Sequence, residues 1–291
     1  MWIAGGWSDY ELLECSGGER LERWGGYTLV RPDPQVIWDT PRRHGGWRKP
    51  DARYERSASG GGRWLPNSLP DRWTVGHGDL RFHVGLTGFK HTGLFPEQSP
   101  NWRFIRDAIK DSARAVNVLN LFAYTGAASI AAAASGNAKV THVDAAKGMV
   151  RWARDNAALT RGNAALFADD AIRWIVDDCE GFVARERRRG KRYDALILDP
   201  PSFGRGPDGK TWRLEDGLYR LLTLCACVLS EKPLFVLLNT YTTGLSAGVM
   251  AHMLECVFGP AFANKAEARE LGIPITAGGV LSGGASARIY N

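Results

Sequence analysis

At 291 residues, 44% hydrophobic and 23% charged, the chain is long enough to bury a sizeable core and too apolar to remain disordered. No apolar run approaches the roughly 20 residues of a bilayer span, which excludes a membrane role as the main reading. The net charge is +6; nine of the 37 basic residues are Lys and 28 are Arg, the better fork for phosphates, although genome composition alone can also enrich Arg.

The opening stretch, MWIAGGWSDYELLE, has neither a basic nor a continuous apolar region and reads as mature protein. Residues 1–100 carry seven of the eleven Trp, with short apolar pieces separated by Gly and Pro, which predicts a small β-rich region packed by its indoles. Its loosest part is residues 51–70, where the Gly60–Gly62 triplet argues against a regular element. Five scattered cysteines without a C-x-x-C pair predict neither a disulfide framework nor a metal site, and fit a cytoplasmic protein.

From residue 101 the pattern becomes apolar strand, turn, amphipathic helix, repeated, which predicts an α/β domain over 101–291 with a parallel sheet. Core strands are expected at 117–121, 140–143, 165–167, 195–198 and 234–238. Helices are expected to start near Ala127, Gly148, Ala171, Asp216 and Ala247, and an edge hairpin to form from 267–274 and 285–290. Sheets of this kind bind ligands beyond the carboxyl ends of their strands, so the residues there carry the function.

After the first strand comes Asn120-Leu121-Phe122-Ala123-Tyr124-Thr125-Gly126, a turn of small residues leading into a helix. It holds a single Gly where a dinucleotide fingerprint needs three, which disfavours NAD and FAD. The second strand ends in Asp144, a carboxylate placed to accept both hydroxyls of a ribose. Asp169 and Asp170, after the expected third strand, could accept from an adenine amino group or simply cap a helix. The sharpest signal is Asp199-Pro200-Pro201-Ser202-Phe203 after the fourth strand: a carboxylate and carbonyl acceptors held rigid by two prolines, followed by an aromatic face for stacking.

The order FAYTG, VDAAKGMVRWARDN, DDAIRWI and DPPSF resembles class I S-adenosylmethionine-dependent methyltransferases, and among them the bacterial 23S ribosomal RNA large-subunit methyltransferase I and K group. The resemblance spans residues 80–291 and implies a Rossmann-like seven-stranded sheet in the order 3-2-1-4-5-7-6, with strand seven antiparallel. It also implies that KHTGLFPEQ (90–98) covers the cofactor. On that basis Thr92, Gly93, Phe95 and Gln98 surround the methionyl part of S-adenosyl-L-methionine. Asn120, Phe122, Ala123, Tyr124 and Gly126 line the turn, Asp144 holds the ribose, Asp170 the adenine, Asn156 closes the pocket, and Asp199 touches both cofactor and acceptor.

Methyl transfer from a sulfonium requires orientation and exclusion of water, and no metal. The loops after strands four and five (201–205 and 239–246) contain no Cys, so the thiolate that cytosine-5 methylation needs is missing, and a nitrogen acceptor on an RNA base is favoured. Cys225 and Cys227 are expected to be core packing. Asp199, Pro200, Pro201 and Phe203 are the expected catalytic group, with Phe203, Arg205, Lys210 and Arg213 meeting the RNA. The run Arg185–Arg192 precedes strand four, roughly 20 Å from Asp199, and reads as a solvated surface. A protein side-chain amide or a small molecule as substrate, and a silent RNA-binding module of the same fold, are the alternatives.

Overall fold

The computed structural model describes residues 1–57, 61–205, 211–241 and 245–291, with the backbone alone for Arg205. The chain forms two compact units. The larger takes Met1–Trp2, Asn101–Leu271 and Gly284–Asn291; the smaller takes Ile3–Pro100 and Gly272–Gly283.

The main sheet is built on β1 (Val116–Leu121), β2 (Ala138–Asp144), β3 (Ile172–Val176), β4 (Ala195–Leu198), β5 (Phe235–Thr240), β6 (Glu267–Pro274) and β7 (Val280–Tyr290). The first five run parallel, and β7 is antiparallel to β5. Their order is 3-2-1-4-5-7-6, as the resemblance implies, and Trp2–Ile3 adds an eighth strand at the far edge where seven were expected. Every residue of β4 and β5 is buried, as in parallel strands covered on both faces.

The helices are α1 (Ser99–Asp111), α2 (Ala127–Ala133), α3 (Lys147–Ala164), α4 (Cys179–Arg188), α5 (Leu214–Ala226) and α6 (Ala247–Phe258). Alternation along the strands divides the core. Leu196, Leu198, Val236 and Leu238 pack with Leu221 and Leu222 of α5 and Leu254 of α6. On the opposite face Phe104 of α1 sets its ring against Phe235 at 5.3 Å and Tyr290 at 5.4 Å. Cys225 is buried in the first of these cores, whereas Cys227, expected beside it, is exposed at the end of α5.

One strand departs from expectation. Residues 165–167 are not a strand: α3 runs through Ala164 and ends with Ala165 in a left-handed conformation, and the third strand is Ile172–Val176. The short apolar triplet only closes α3, while the β-branched run that follows alternates against β2 in the register Val140↔Ile172 to Asp144↔Val176. The helix expected from Ala171 therefore begins at Cys179, capped by Asp178, whose Oδ2 accepts from the Gly181 N–H at 2.7 Å.

The smaller unit contains a five-stranded sheet formed in chain order by Tyr10–Ser16, Glu19–Trp24, Tyr27–Pro32, Ala52–Arg56 and Gly62–Trp64, and a hairpin of Trp73–His77 with Leu80–Val84. Part of the stretch expected to be irregular is thus paired, Tyr54 with Trp64 and Arg56 with Gly62; residues 58–60 lie outside the described residues. Gly62 is the residue that permits it, since a Cβ there would stand 2.2 Å from the Glu55 carbonyl oxygen. Trp24 is fully buried, edge-on to Tyr10 at 4.6 Å, which is the packing use expected of the indoles. Beneath it Glu22 accepts from Arg31 at 2.6 Å and from the Tyr10 hydroxyl at 2.8 Å. Burial opposes its ionisation, yet Arg20 and Arg31 draw its carboxyl down to about 2.

Candidate active site

The strand register fixes which residues meet at the carboxyl end of the sheet. Leu121 lies level with Val143 on one side and Leu198 on the other, and Leu198 is level with Leu238. Asp144, Phe122, Asp199 and Asn239, one residue further along each strand, therefore form a single row. Asp144 and Asp199 flank β1 at two strand spacings, roughly 10 Å.

Between them the turn after β1 is held in an unfavourable backbone. Phe122 and Tyr124 have φ of 55° and 50° and Gly126 of 88°, left-handed values that cost a non-glycine residue about 1–2 kcal/mol each. The surroundings impose this shape. The Tyr124 N–H donates to Asp144 Oδ2 at 2.8 Å, the Ala123 N–H to the Val143 carbonyl at 3.1 Å, and the Asn156 amide to the Thr125 carbonyl at 2.9 Å. Such strain persists only where a surrounding network holds it in place. Gly126 is further required by packing, because a Cβ would lie 2.8 Å from Ala153 Cβ.

Asp144 Oδ1 accepts from the Ala146 N–H at 2.8 Å, so each carboxylate oxygen is anchored by one backbone donor and keeps a lone pair for a further one. Burial raises its pKa against the pull of those two donors. Two such acceptors side by side suit the two hydroxyl donors of a ribose diol.

Two expected side chains turn inward instead. Asn120 donates to Ser129 Oγ at 2.9 Å, and Ser129 meets His142 Nδ1 at 3.0 Å, a buried chain beneath α2. Burial and Arg154 take the His142 imidazole down to about 3, which makes it a neutral core histidine. Asn156, fully buried, supports the turn from α3.

Asp170 is displaced altogether. It precedes β3, is exposed, and pairs with Lys139, the second residue of β2, at 2.8 Å, which puts it at the starting end of the sheet. The acids at the carboxyl end of β3 are Asp177, whose N–H donates to the Asp144 carbonyl at 3.1 Å, and Asp178. Asp177 is paired with Arg185 of α4. Sequence reasoning missed both because it placed the strand seven residues early; the second Asp-Asp dipeptide, after Ile172-Arg173-Trp174-Ile175-Val176, was the available signal.

Past β4, Pro200 is buried and Pro201 exposed, and Phe203–Arg205 pairs with Thr211–Arg213 as a short hairpin. Phe203 is 56% exposed, with the exposed Arg213 as its cross-strand partner. Lys210 and the Arg205 side chain lie outside the described residues. Trp212, which the sequence did not single out, ties the loop down: its indole N–H donates to the Pro201 carbonyl at 2.7 Å and its ring lies 5.6 Å from Phe122. A Cβ at Gly217 would come within 2.5 Å of that ring.

Within the smaller unit Thr92 is fully buried, Gly93 has φ of 89°, and Phe95 precedes a 3-10 turn over Pro96–Gln98, in which Gln98 is buried. His91 stands 5.5 Å from the Phe95 ring, and burial, with Arg31 and Lys90, lowers its imidazole to about 4.

The model of the S-adenosylmethionine-dependent methyltransferase family matches residues 43–244. Curated relatives include the ribosomal RNA large subunit methyltransferases K/L of Shewanella frigidimarina and Alteromonas mediterranea. The first is 34% identical over 139 residues, 47% of this chain and 17% of the relative; the second is 33% identical over 176 residues, 60% and 23%. The chain thus matches about a fifth of the length of these relatives. A crystal structure of the SAM-dependent methyltransferase from Agrobacterium tumefaciens superposes with a TM-score of 0.89 at 35% identity, covering 99% of this chain and 92% of that one. A methyltransferase complexed with SAH shares the fold, with a TM-score of 0.71 at 20% identity over 99% of this chain and 76% of that one. With an anchored carboxylate, a strained turn and a rigid Asp-Pro-Pro in one row at the sheet's carboxyl end, the chain belongs to the S-adenosylmethionine-dependent methyltransferases.

Proposed function

We propose that this enzyme methylates a nitrogen of a base in ribosomal RNA, in the cytoplasm. The observation that carries the reading is Phe203: a large, exposed ring on the hairpin that follows Asp199-Pro200-Pro201, with the cationic Arg213 opposite it. A flat face beside a cation suits a base and its phosphate. The names of the curated relatives support an RNA substrate.

S-adenosylmethionine supplies an activated methyl group when bound. Asp144 would accept from its ribose hydroxyls, the 122–126 turn would lie along it, and Asp178 would take the adenine-side role expected of Asp170. Asp199 accepts from the amino or ring N–H of the acceptor base and orients the nitrogen lone pair, while Phe203 stacks. The buried Pro200 and the Trp212 contact with the Pro201 carbonyl keep that carboxylate rigid. Nitrogen is favoured over carbon 5 because the thiol tied to the site, Cys179 beneath the Phe122 N–H at 3.3 Å, is buried and its pKa pushed well up, away from the thiolate that carbon methylation uses.

Mass spectrometry of nucleosides from a deletion strain tests the reading, with transfer of labelled methyl to deproteinised RNA from that strain. Loss of one methylated base and its restoration in vitro is the expected result. An unchanged nucleoside profile would turn the assignment toward a protein amide or a small molecule, and absence of cofactor binding in calorimetry would point to a silent module.

A further inference from the structure

A buried polar chain on the α1 face of the larger unit ends in the row of strand-end residues, and the preceding roles do not use it. Arg288 of β7 is buried, with its guanidinium 3.7 Å from the Trp2 ring and 4.4 Å from Phe104. Burial lowers its pKa only to about 10, so it remains a cation at neutral pH. It donates through Nε at 3.2 Å and Nη2 at 2.5 Å to Asn101 Oδ1, which also accepts from the Ser286 hydroxyl at 3.3 Å. Asn101 Nδ2 in turn donates to Asn239 Oδ1 at 2.9 Å.

The chemistry of these groups leaves one arrangement. A guanidinium carries donors only, so the Asn101 atom facing it must be the carbonyl oxygen. The Asn101 amide nitrogen must then face Asn239, and the Asn239 atom meeting it must be its own oxygen. Asn239 is consequently left with its NH₂ group to direct elsewhere. It is 3% exposed, lies on β5 one residue past Leu238, and is level with Asp199, one residue past Leu198. The alternation that buries Leu198 and Leu238 under α5 assigns Asp199 and Asn239 to the other face, side by side.

We propose that Asn239 is a specificity-determining residue of the acceptor site, offering a hydrogen-bond donor beside the Asp199 carboxylate, with Arg288 and Asn101 as the positioning residues that fix which end of its amide faces the base. The substrate it selects has an N–H donor next to a keto oxygen or unprotonated ring nitrogen: the donor goes to Asp199 and the acceptor to Asn239. The inference rests on the reading of a base as the methyl acceptor.

The test is Asn101→Asp in the full-length enzyme. A carboxylate keeps every bond from Arg288 and Ser286 but has no proton to give Asn239, so the Asn239 amide turns over and presents its oxygen to the base. Melting temperature and S-adenosylhomocysteine affinity by calorimetry are expected to match the parent. kcat/KM on deproteinised RNA from the deletion strain is expected to fall roughly ten- to a hundredfold. Asn239→Ala, which removes the amide outright, should lose a similar factor and carries the test if the charged variant unfolds. Combining the two should add nothing further, because both delete one donor. Parental turnover by Asn101→Asp or by Asn239→Ala, or losses that multiply in the double variant, would overturn the proposal. Failure of the parent enzyme to label that RNA would instead overturn the reading beneath it.

Discussion

Asp199 occupies a position where conformational freedom has been removed on both sides: a fully buried strand before it and two prolines after it. A carboxylate so held can orient a nucleophile without reorganising, so its removal is expected to act on turnover rather than on cofactor binding. In Asp199→Ala, methyl transfer should fall at least about a thousandfold while calorimetric affinity for S-adenosylhomocysteine stays within a few fold. A variant running at parental speed would refute the role. On the proposed function Phe203 and Arg213 belong to recognition instead. Phe203→Leu should weaken RNA binding by about 1–3 kcal/mol at all salt concentrations, the worth of one stacked base. Arg213→Ala should reduce the slope of log K against log salt by about one, as for one lost phosphate contact. Filter binding over a salt series separates the two effects, and equal slopes for both variants would show that Arg213 meets no phosphate.

At the scale of the element, the turn after β1 concentrates the cost of the site. Gly126→Ala adds a Cβ 2.8 Å from Ala153 Cβ and forces a side chain onto φ of 88°. Roughly 2–4 kcal/mol of destabilisation is expected in urea unfolding, with weaker cofactor binding. Ala153→Gly in the same chain should return only part of it, since the second change relieves the clash and not the dihedral; full recovery would mean the backbone strain is negligible. The turn, the strand carrying Asp199 and the edge pair of strands were legible because each is written locally, as a buried apolar run ending in Gly, Asp-Pro-Pro or charge. The third strand was not. Ala165-Leu166-Phe167 has a strand's composition, but Ala165 caps an 18-residue helix in a left-handed conformation, which only the structure reveals. That slip put the expected acid at Asp170, at the opposite end of the sheet from Asp177 and Asp178. Long-range relations were equally hidden: Trp212 closing on Pro201, or Asn101 reaching Asn239 across 138 residues, have no signature in spacing.

At the scale of the whole molecule, the pH dependence of stability is set by a few groups that burial holds neutral. Glu97 is the carboxyl among them. Its carboxyl lies in the smaller unit against Gly283, where a Cβ would come within 2.8 Å of its Cγ, and burial raises its pKa to about 7 although Arg20 and Arg31 pull the other way. In the unfolded chain it titrates near 4.5. Below that value both states are protonated and nothing is lost. Between 4.5 and about 7 the unfolded chain ionises while the folded one does not, so stability falls with rising pH by about 1.4 kcal/mol per unit, toward a plateau about 3 kcal/mol lower. His91 and His142 act in the opposite sense. Held neutral down to about 4 and about 3, they cost stability as pH falls below 6.5, where the unfolded imidazoles take up protons. The parent's own profile therefore mixes two slopes of opposite sign, and the difference between parent and Glu97→Gln isolates the carboxyl. Urea unfolding at pH 4 should show little difference between the two proteins, while at pH 8 the Gln variant should be more stable by about 3 kcal/mol, the gap opening between pH 4.5 and 7. A gap that is constant across that window would mean that Glu97 titrates normally in the fold, and that the Arg20 and Arg31 guanidiniums offset its burial.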